Sequence, residues 1–272
     1  MLGYHIVVSP LGGVYEKIIP KTAVTTKSQK LDTELTQMLK SSELPQIDPG
    51  EKSFEKANEL LALGQMEEAH EKLTSIVEVF PTSPSATKAR RIVGEMNLDQ
   101  VLSTAHMEGK QSHIVKRGNS FLSIAAEYQT TLDMIMYLNG MLELKGLQPG
   151  DELIVMALDF RILIEPQRKA LSIWKGDQFI REYPIVEISS TGKLTAGKTK
   201  ISSKTANIEG RPVTFQSKEY RKADKIILIA KPSLQIRSAT ENGESTRGII
   251  LSPQDMEEMN LLIRVGNDVE IR

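Results

Sequence analysis

The chain contains no cysteine. That excludes a disulfide framework, a thiolate metal site, a thiol nucleophile and a lipidated cysteine. Aromatic residues are scarce, at 5%, too few for a long stacking surface on single-stranded nucleic acid. Neither sign of charge prevails: the net charge is -1, which gives no electrostatic ground for nucleic acid as a partner. His5, His70, His106 and His113 stand in separate segments, and no spacing among them suggests a zinc site. No cofactor or metal is expected. No apolar run approaches the roughly 20 residues that cross a bilayer. Met1–Ala23 is moderately apolar, but Pro10, Glu16, Lys17 and Pro20 interrupt it, so no signal peptide is recognisable.

What is present changes texture along the chain. Hydrophobic residues make up 40% of the 272, enough for two or three small domains, and the expected class is multidomain α+β. Residues 1–49 read as an N-terminal segment and tether. Thr22–Pro49 is rich in Ser, Thr, Lys and Gln, with a short helix expected around Leu31–Leu39 and breakers at Ser41–Pro45 and Asp48–Gly50. Residues 50–100 read as helices. Ala57, Leu60, Leu61 and Leu63 line the first, and Gly64 punctuates it. Met66, Ala69, Leu73, Ile76, Val77 and Phe80 line a second that ends at Pro81, and Ala86, Ala89, Ile92 and Val93 mark a third. The spacing of Leu60, Gly64, Ala69 and Pro81 resembles a tetratricopeptide repeat. A single repeat buries little surface alone. This implies a three-helix spacer, self-association or a docked protein partner.

Residues 111–158 carry the most specific pattern. Ile114 and Val115, then Leu153 and Val155, suit two short strands. Between them Phe121, Ile124 and Ala125, then Leu132, Ile135 and Leu138, recur at helical spacing. Asn119 or Ser120 is placed to cap the first helix, and Thr130 with Asp133 fits a capping box on the second. The βααβ order, Val115-Lys-Arg-Gly118-Asn-Ser-Phe121, the Ile124-Ala125 pair, Leu138-Asn139 and the Pro149-Gly150 turn resemble the LysM module. The resemblance implies binding of N-acetylglucosamine glycans, peptidoglycan or chitin-like, at Gly118, Asn119, Ser120 and Phe121 together with Asn139, Met141 and Leu142. His113 stands where the family usually has Tyr, Asn119 where it has Asp, and the Asn139–Gly150 loop is one residue longer than is usual. By residue type alone, Gly118, Asn119 and Gly150 are equally suited to making turns.

Residues 159–272 read as mostly β. Strands are expected over Phe160–Ile164, Ala170–Trp174, Phe179–Ile188, Lys200–Ser203, Pro212–Phe215, Ile226–Ile229, Leu234–Arg237 and Gly248–Leu251. One helix, Ser252–Leu262, opens with Ser252 as cap and Pro253 in first position, and Val265–Ile271 supplies a last turn and strand. Leu171–Trp174 with Gly176 and Tyr183-Pro-Ile, Leu194-Thr-Ala-Gly197, and Ser245–Asp255 with Val265-Gly266 and Val269–Ile271 resemble the L,D-transpeptidase catalytic domain. That family cross-links peptidoglycan stems through a cysteine acyl-enzyme. Its nucleophile falls on Gly248, the histidine before it on Thr246, the signature arginine on Ile250 and the upstream histidine on Arg237. The likeness is therefore one of frame without chemistry. Ser245 and Thr246 are hydroxyls that need a base, with a lysine or Asp255 as the nearest candidates. Glu257 and Glu258 read as a solvated helix face. Lys and Arg residues between Lys193 and Lys231 suit either stem-peptide carboxylates or solvated edge strands.

These readings imply a non-catalytic, peptidoglycan-binding protein of the cell envelope, periplasm or cell wall, with a pseudoenzyme domain. The alternatives are an L,D-transpeptidase-type acyl transferase with a Ser or Thr nucleophile, and a protein-interaction scaffold.

Overall fold

The computed structural model describes residues 48–144, 146–189, 194–214, 217, 219–231, 233–239 and 248–272. The helix expected around Leu31–Leu39, and Ser245 and Thr246, lie outside the described residues. The chain divides into two units, Met1–Asp48 and Pro49–Arg272; the second is described here. No helix among the described residues is long and apolar enough to cross a membrane.

Among the described residues three helices come first: α1 (Pro49–Ala62), α2 (Met66–Val79) and α3 (Pro84–Leu102). Gly64, at φ +75°, makes the first turn, a conformation that costs glycine little. Ser83 caps α3 by accepting from the Ser85 N–H at 3.2 Å, with Pro84 leading the helix. Ala57, Ala69, Ala86 and Ala89 are fully buried, and their small side chains let the helices close on Leu73 and Ile76. The expected lining fails at its ends, since Leu63 and Met66 flank the turn and are exposed.

The third helix packs against the β domain. Its apolar face meets Phe179 and Trp174 in one core cluster. Asn97 Nδ2 donates to the Phe179 carbonyl at 2.7 Å. Gly94 admits Arg181, whose Cδ lies 3.3 Å from where a Cβ would stand. The Arg181 guanidinium is held between Glu95 and Glu258, each at 2.8 Å. The apolar face expected to lie open is thus partly covered by the chain itself.

Next come β1 (Lys110–Ile114), α4 (Phe121–Glu127), α5 (Leu132–Leu138) and β2 (Glu152–Met156). The two strands pair antiparallel, with His113 opposite Leu153. Ser120 caps α4 in a reciprocal box with Ser123. The α5 cap is Thr131 and not Thr130: Thr131 is extended and its Oγ1 accepts from the Met134 N–H at 3.2 Å. Thr130 is turned inward, and its hydroxyl is buried without a partner. Val115, Ile124, Leu132, Ile135, Leu153 and Val155 form a small core of their own. Met134, Leu138 and Met156 instead join the large core of the β domain.

The β domain is a ten-stranded sheet among the described residues. Its strands are β3 (Arg161–Glu165), β4 (Ala170–Lys175), β5 (Gln178–Pro184), β6 (Glu187–Ser189), β7 (Gly197–Ile208), β8 (Arg211–Pro212), β9 (Asp224–Ile229), β10 (Leu234–Ser238), β11 (Gly248–Leu251) and β12 (Asp268–Ile271). The order is β5-β4-β3-β12-β7-β9-β10-β11-β6, with β8 beside β7. The single strand expected over Phe179–Ile188 is two. The Ile185 N–H turns to the Lys169 carbonyl and the Val186 N–H to that of Ile250, which carries the chain from one edge of the sheet to the other. β7 is far longer than expected. Its first residues pair with β12, and those after a bulge near Ser203 pair with β9. The helix α6 (Pro253–Leu262) covers β9 and β10. It is capped as expected, Ser252 Oγ accepting from the Asp255 N–H at 3.1 Å.

Candidate functional site

The loop after β1 is set by local bonds. Gly118 sits at φ +92° with nothing within 4 Å of a built Cβ, so it turns the chain in open space. Asn119 Oδ1 accepts from the Lys116 N–H at 2.7 Å and meets His113 Nε2 at 3.2 Å. The other ring nitrogen of His113 meets the Tyr128 hydroxyl at 3.0 Å, the rings edge to face. His113 therefore supports this loop. Ser120 is exposed at the helix cap, and Phe121 packs its ring against the module core, as does Met141 from the loop after α5. The two loops are tied where the Gly150 N–H donates to the Val115 carbonyl at 2.9 Å.

Asn139 is committed inside the fold. Its amide oxygen accepts from the Ile154 N–H at 2.8 Å, and its Nδ2 donates to the carbonyls of Ile135 and Ile154 at 2.7 and 2.8 Å. Three of its four hydrogen-bonding positions are used, so it fastens α5 to β2. The groups left facing solvent are the Gly118 backbone, Ser120 and Leu142, the last 75% exposed. The sequence placed all seven residues near these loops. It did not separate Asn139, which holds a loop, from Leu142, which faces water.

In the β domain, β10 and β11 run parallel, with Arg237 opposite Ile250. Gly248 begins β11 at φ +139°, and a Cβ there would stand 2.3 Å from the Gln235 carbonyl oxygen. Ile250 is buried. Asp255, a candidate base, accepts from the Ser252 hydroxyl at 2.7 Å and so belongs to the helix cap. Glu257 is exposed, as expected, while also meeting the buried cation Lys225 at 3.2 Å; Glu258 is not solvated but pairs with the buried Arg181 at 2.8 Å. The reason is that α6 lies over the sheet, where those cations need partners.

A cleft of about 1010 Å³ opens between α5 with its following loop and the β domain. Asp133, Tyr137, Met141 and Leu142 line one side; Tyr220, Lys225, Glu257 and Asn260 line the other. The Tyr220 hydroxyl donates to Asp133 Oδ2 at 3.0 Å. Burial, and then the Asp133 carboxylate, push that phenol well above its usual range. Lys225 donates to the Tyr220 and Ala223 carbonyls at 2.7 and 2.8 Å, besides Glu257. Lys204 donates to the Asn260 and Ile263 carbonyls at the end of α6, both at 2.6 Å. Burial lowers its pKa to about 8, against the attraction of Asp133. These two cations are thus spent inside the fold.

Residues 113–155 match the LysM domain family. The match takes in the end of β1, both helices, both loops just described and β2 up to Val155. No curated protein matches the chain. Among solved structures, the chain is similar to an L,D-transpeptidase from Mycobacterium smegmatis at 10% identity and a TM-score of 0.31, over 45% of this chain and 63% of that one. L,D-transpeptidase 3 from Mycobacterium tuberculosis gives 12% and 0.31, over 42% and 61%. The L,D-transpeptidase (Yku) from Stackebrandtia nassauensis gives 12% and 0.32, over 52% and 65%. The chain thus spans less than two thirds of each. These are the family that the sequence of the β domain resembles; superpositions this loose assign no residue and no activity.

Proposed function

We propose that the chain is a non-catalytic binder of N-acetylglucosamine glycans of the cell envelope, in which a LysM module is built onto a transpeptidase-like pseudoenzyme domain. The segments 50–100, 111–158 and 159–272 act as one body. The glycan half of this reading is supported by the LysM match and by two tied loops that leave Gly118, Ser120 and Leu142 facing solvent. The observation that carries the non-catalytic half is Gly248. Where the resemblance places a nucleophile, the backbone has positive φ and a carbonyl oxygen fills the space of any side chain. At the position of the upstream histidine stands Arg237, a cation that cannot accept a proton near pH 7.

Co-sedimentation of the full chain with purified peptidoglycan tests the reading. Retention is expected, and Asn119→Ala combined with Phe121→Ala should lower it several-fold while the circular dichroism stays unchanged. Loss of Asn119 acts by releasing the Lys116–Asn119 turn. Incubation with muropeptides should yield no cross-linked product. Cross-linking that is abolished by Ser245→Ala would install a serine acyl transferase in place of this reading.

A further inference from the structure

We propose that the outer edge of β1 is an interface on which a second copy of this chain lays its own β1, antiparallel, about a two-fold axis at His113. This does not rest on the glycan-binding reading. The Val115 N–H donates to the Asp151 carbonyl at 2.8 Å, and the Val115 carbonyl accepts from the Gly150 N–H at 2.9 Å. Such groups alternate along an antiparallel pair. Gln111, His113 and Val115 therefore turn their main chain toward β2, while Ser112 and Ile114 turn theirs away. Among the described residues, neither Ser112 nor Ile114 has a main-chain partner on that side. The other edge of the same small sheet is closed, because the N–H and carbonyl of Ile154 are both taken by the Asn139 amide. On the β1 side Gln111, Ser112 and Ile114 are exposed, Ile114 at 62%. An open edge of this kind is a template for another strand.

The occupant follows from what flanks the strand. Before β1 a turn is closed by the Lys110 N–H on the Met107 carbonyl at 2.9 Å, and after it another by the Asn119 N–H on the Lys116 carbonyl at 3.0 Å. Their tips are Glu108-Gly109 and Arg117-Gly118, with both glycines at positive φ, and the two turns are equally far from His113. A two-fold axis at His113 thus sets each acidic tip against the basic tip of the other copy. Glu108 and Arg117 are exposed, and neither is in an ion pair among the described residues. Lys175 stands beside Gly109, so the tips steer and the ladder binds. Lys110 falls opposite Lys116 of the other copy, but its ammonium is turned into its own chain, donating to the Gln100 and His106 carbonyls at 2.9 and 2.7 Å. In this register the N–H and carbonyl of Ser112 meet those of Ile114 of the other copy, and the reverse, so every outward group of these two residues finds a partner. An unrelated extended peptide would fill the ladder without matching both tips. The basic tip opens the candidate glycan loop, so the pair carries its two loops at opposite ends of one four-stranded sheet.

Equilibrium sedimentation of the full chain at rising concentration tests this, with the thermal midpoint as a folding control. A shift from monomer to dimer is expected. Ile114→Pro removes one outward N–H and no bond to β2, and it should abolish the dimer. Arg117→Glu should weaken association several-fold, and adding Glu108→Arg to it should restore the loss. Opposed residues of such a pair lie about 5.5 Å apart at Cα, within disulfide reach, and the chain has no cysteine of its own. Oxidation of Ser112→Cys mixed with Ile114→Cys should therefore cross-link the two proteins, and either alone should cross-link far less. A chain that stays monomeric throughout overturns the proposal, as does a dimer that Ile114→Pro leaves intact. Failure of the charge exchange to restore association, or self-cross-linking of Ser112→Cys as efficient as that of the mixture, overturns the two-fold axis at His113 and the interface with it.

Discussion

Gly118 and Gly248 are the same residue at two places where the sequence pointed to function, and they do opposite things. At Gly118 the chain turns at positive φ into open space, with nothing near a built Cβ. At Gly248 the backbone is also at positive φ, but the space for a side chain is already filled by the Gln235 carbonyl. The first glycine turns an exposed loop. The second seals the start of a strand. The module carries its candidate site on two loops held by bonds within each and tied together at Gly150 and Val115, whereas in the β domain Gly248 and Asp255 are taken up in sheet pairing and helix capping. Retaining a frame and retaining room for a side chain are separate constraints.

The sharpest break of this contrast is Gly248→Cys. The new side chain must displace backbone and hold a strained φ, so destabilisation of about 4 kcal/mol is expected in urea denaturation, with no gain of transfer activity. A Gly248→Cys protein as stable as wild type would show that the site is not sealed. Gly118→Ala should cost only about 1 kcal/mol, from its φ alone. Next in size is Arg181→Met. It leaves Glu258 in the interface without its cation and should cost about 3 kcal/mol, with faster hydrogen exchange in α3; unchanged exchange would mean that the helix docks without it. Smaller still is the pair on α5. Thr131→Ala should cost about 1 kcal/mol through the lost cap, while Thr130→Val, which removes a buried hydroxyl that has no partner, should be neutral or stabilising. Equal losses would return the cap to Thr130.

The smallest effect is a slope. The folded-state pKa of Lys204 is lowered from 10.5 to about 8, so between those values the unfolded chain binds more protons there. Its contribution to stability must therefore rise as pH climbs through that window, and the penalty is fully present below it. Replacing it in Lys204→Met should flatten this limb of the stability–pH curve. An unchanged slope would mean that the ammonium is not held in the buried position described.

How much was legible follows from how local each feature is. The βααβ order of the module was readable because its apolar residues recur at helical spacing within a short stretch, and Ser252-Pro253 announced α6 by capping chemistry alone. Thr130 and Thr131 are chemically alike, so choosing between them needs the φ of each. The role of Asn139 depends on Ile154, fifteen positions away in the chain, and no periodicity carries that pairing. β7 was underestimated because most of its residues are polar and only Ile201 and Ala206 are buried. Arg181 read as an ordinary strand residue; its partners Glu95 and Glu258 lie in different helices. The obstruction at Gly248 belongs to Gln235 and was invisible from the sequence, although the lack of cysteine was not.

The place of β12 bears on how the protein reaches this state. The strand latest in sequence lies inside the sheet, parallel to β3 on one side and antiparallel to β7 on the other. During synthesis, the β3–β4–β5 hairpins and the β7–β9–β10 strands therefore emerge with facing edges that nothing yet joins. Closing a loop of that length costs entropy before any contact rewards it, and sheets built on distant pairings fold slowly. The β domain should consequently complete itself last, well after the local helices and turns of the LysM module have formed. Until then its open strand edges are the part of the nascent chain most exposed to misassociation.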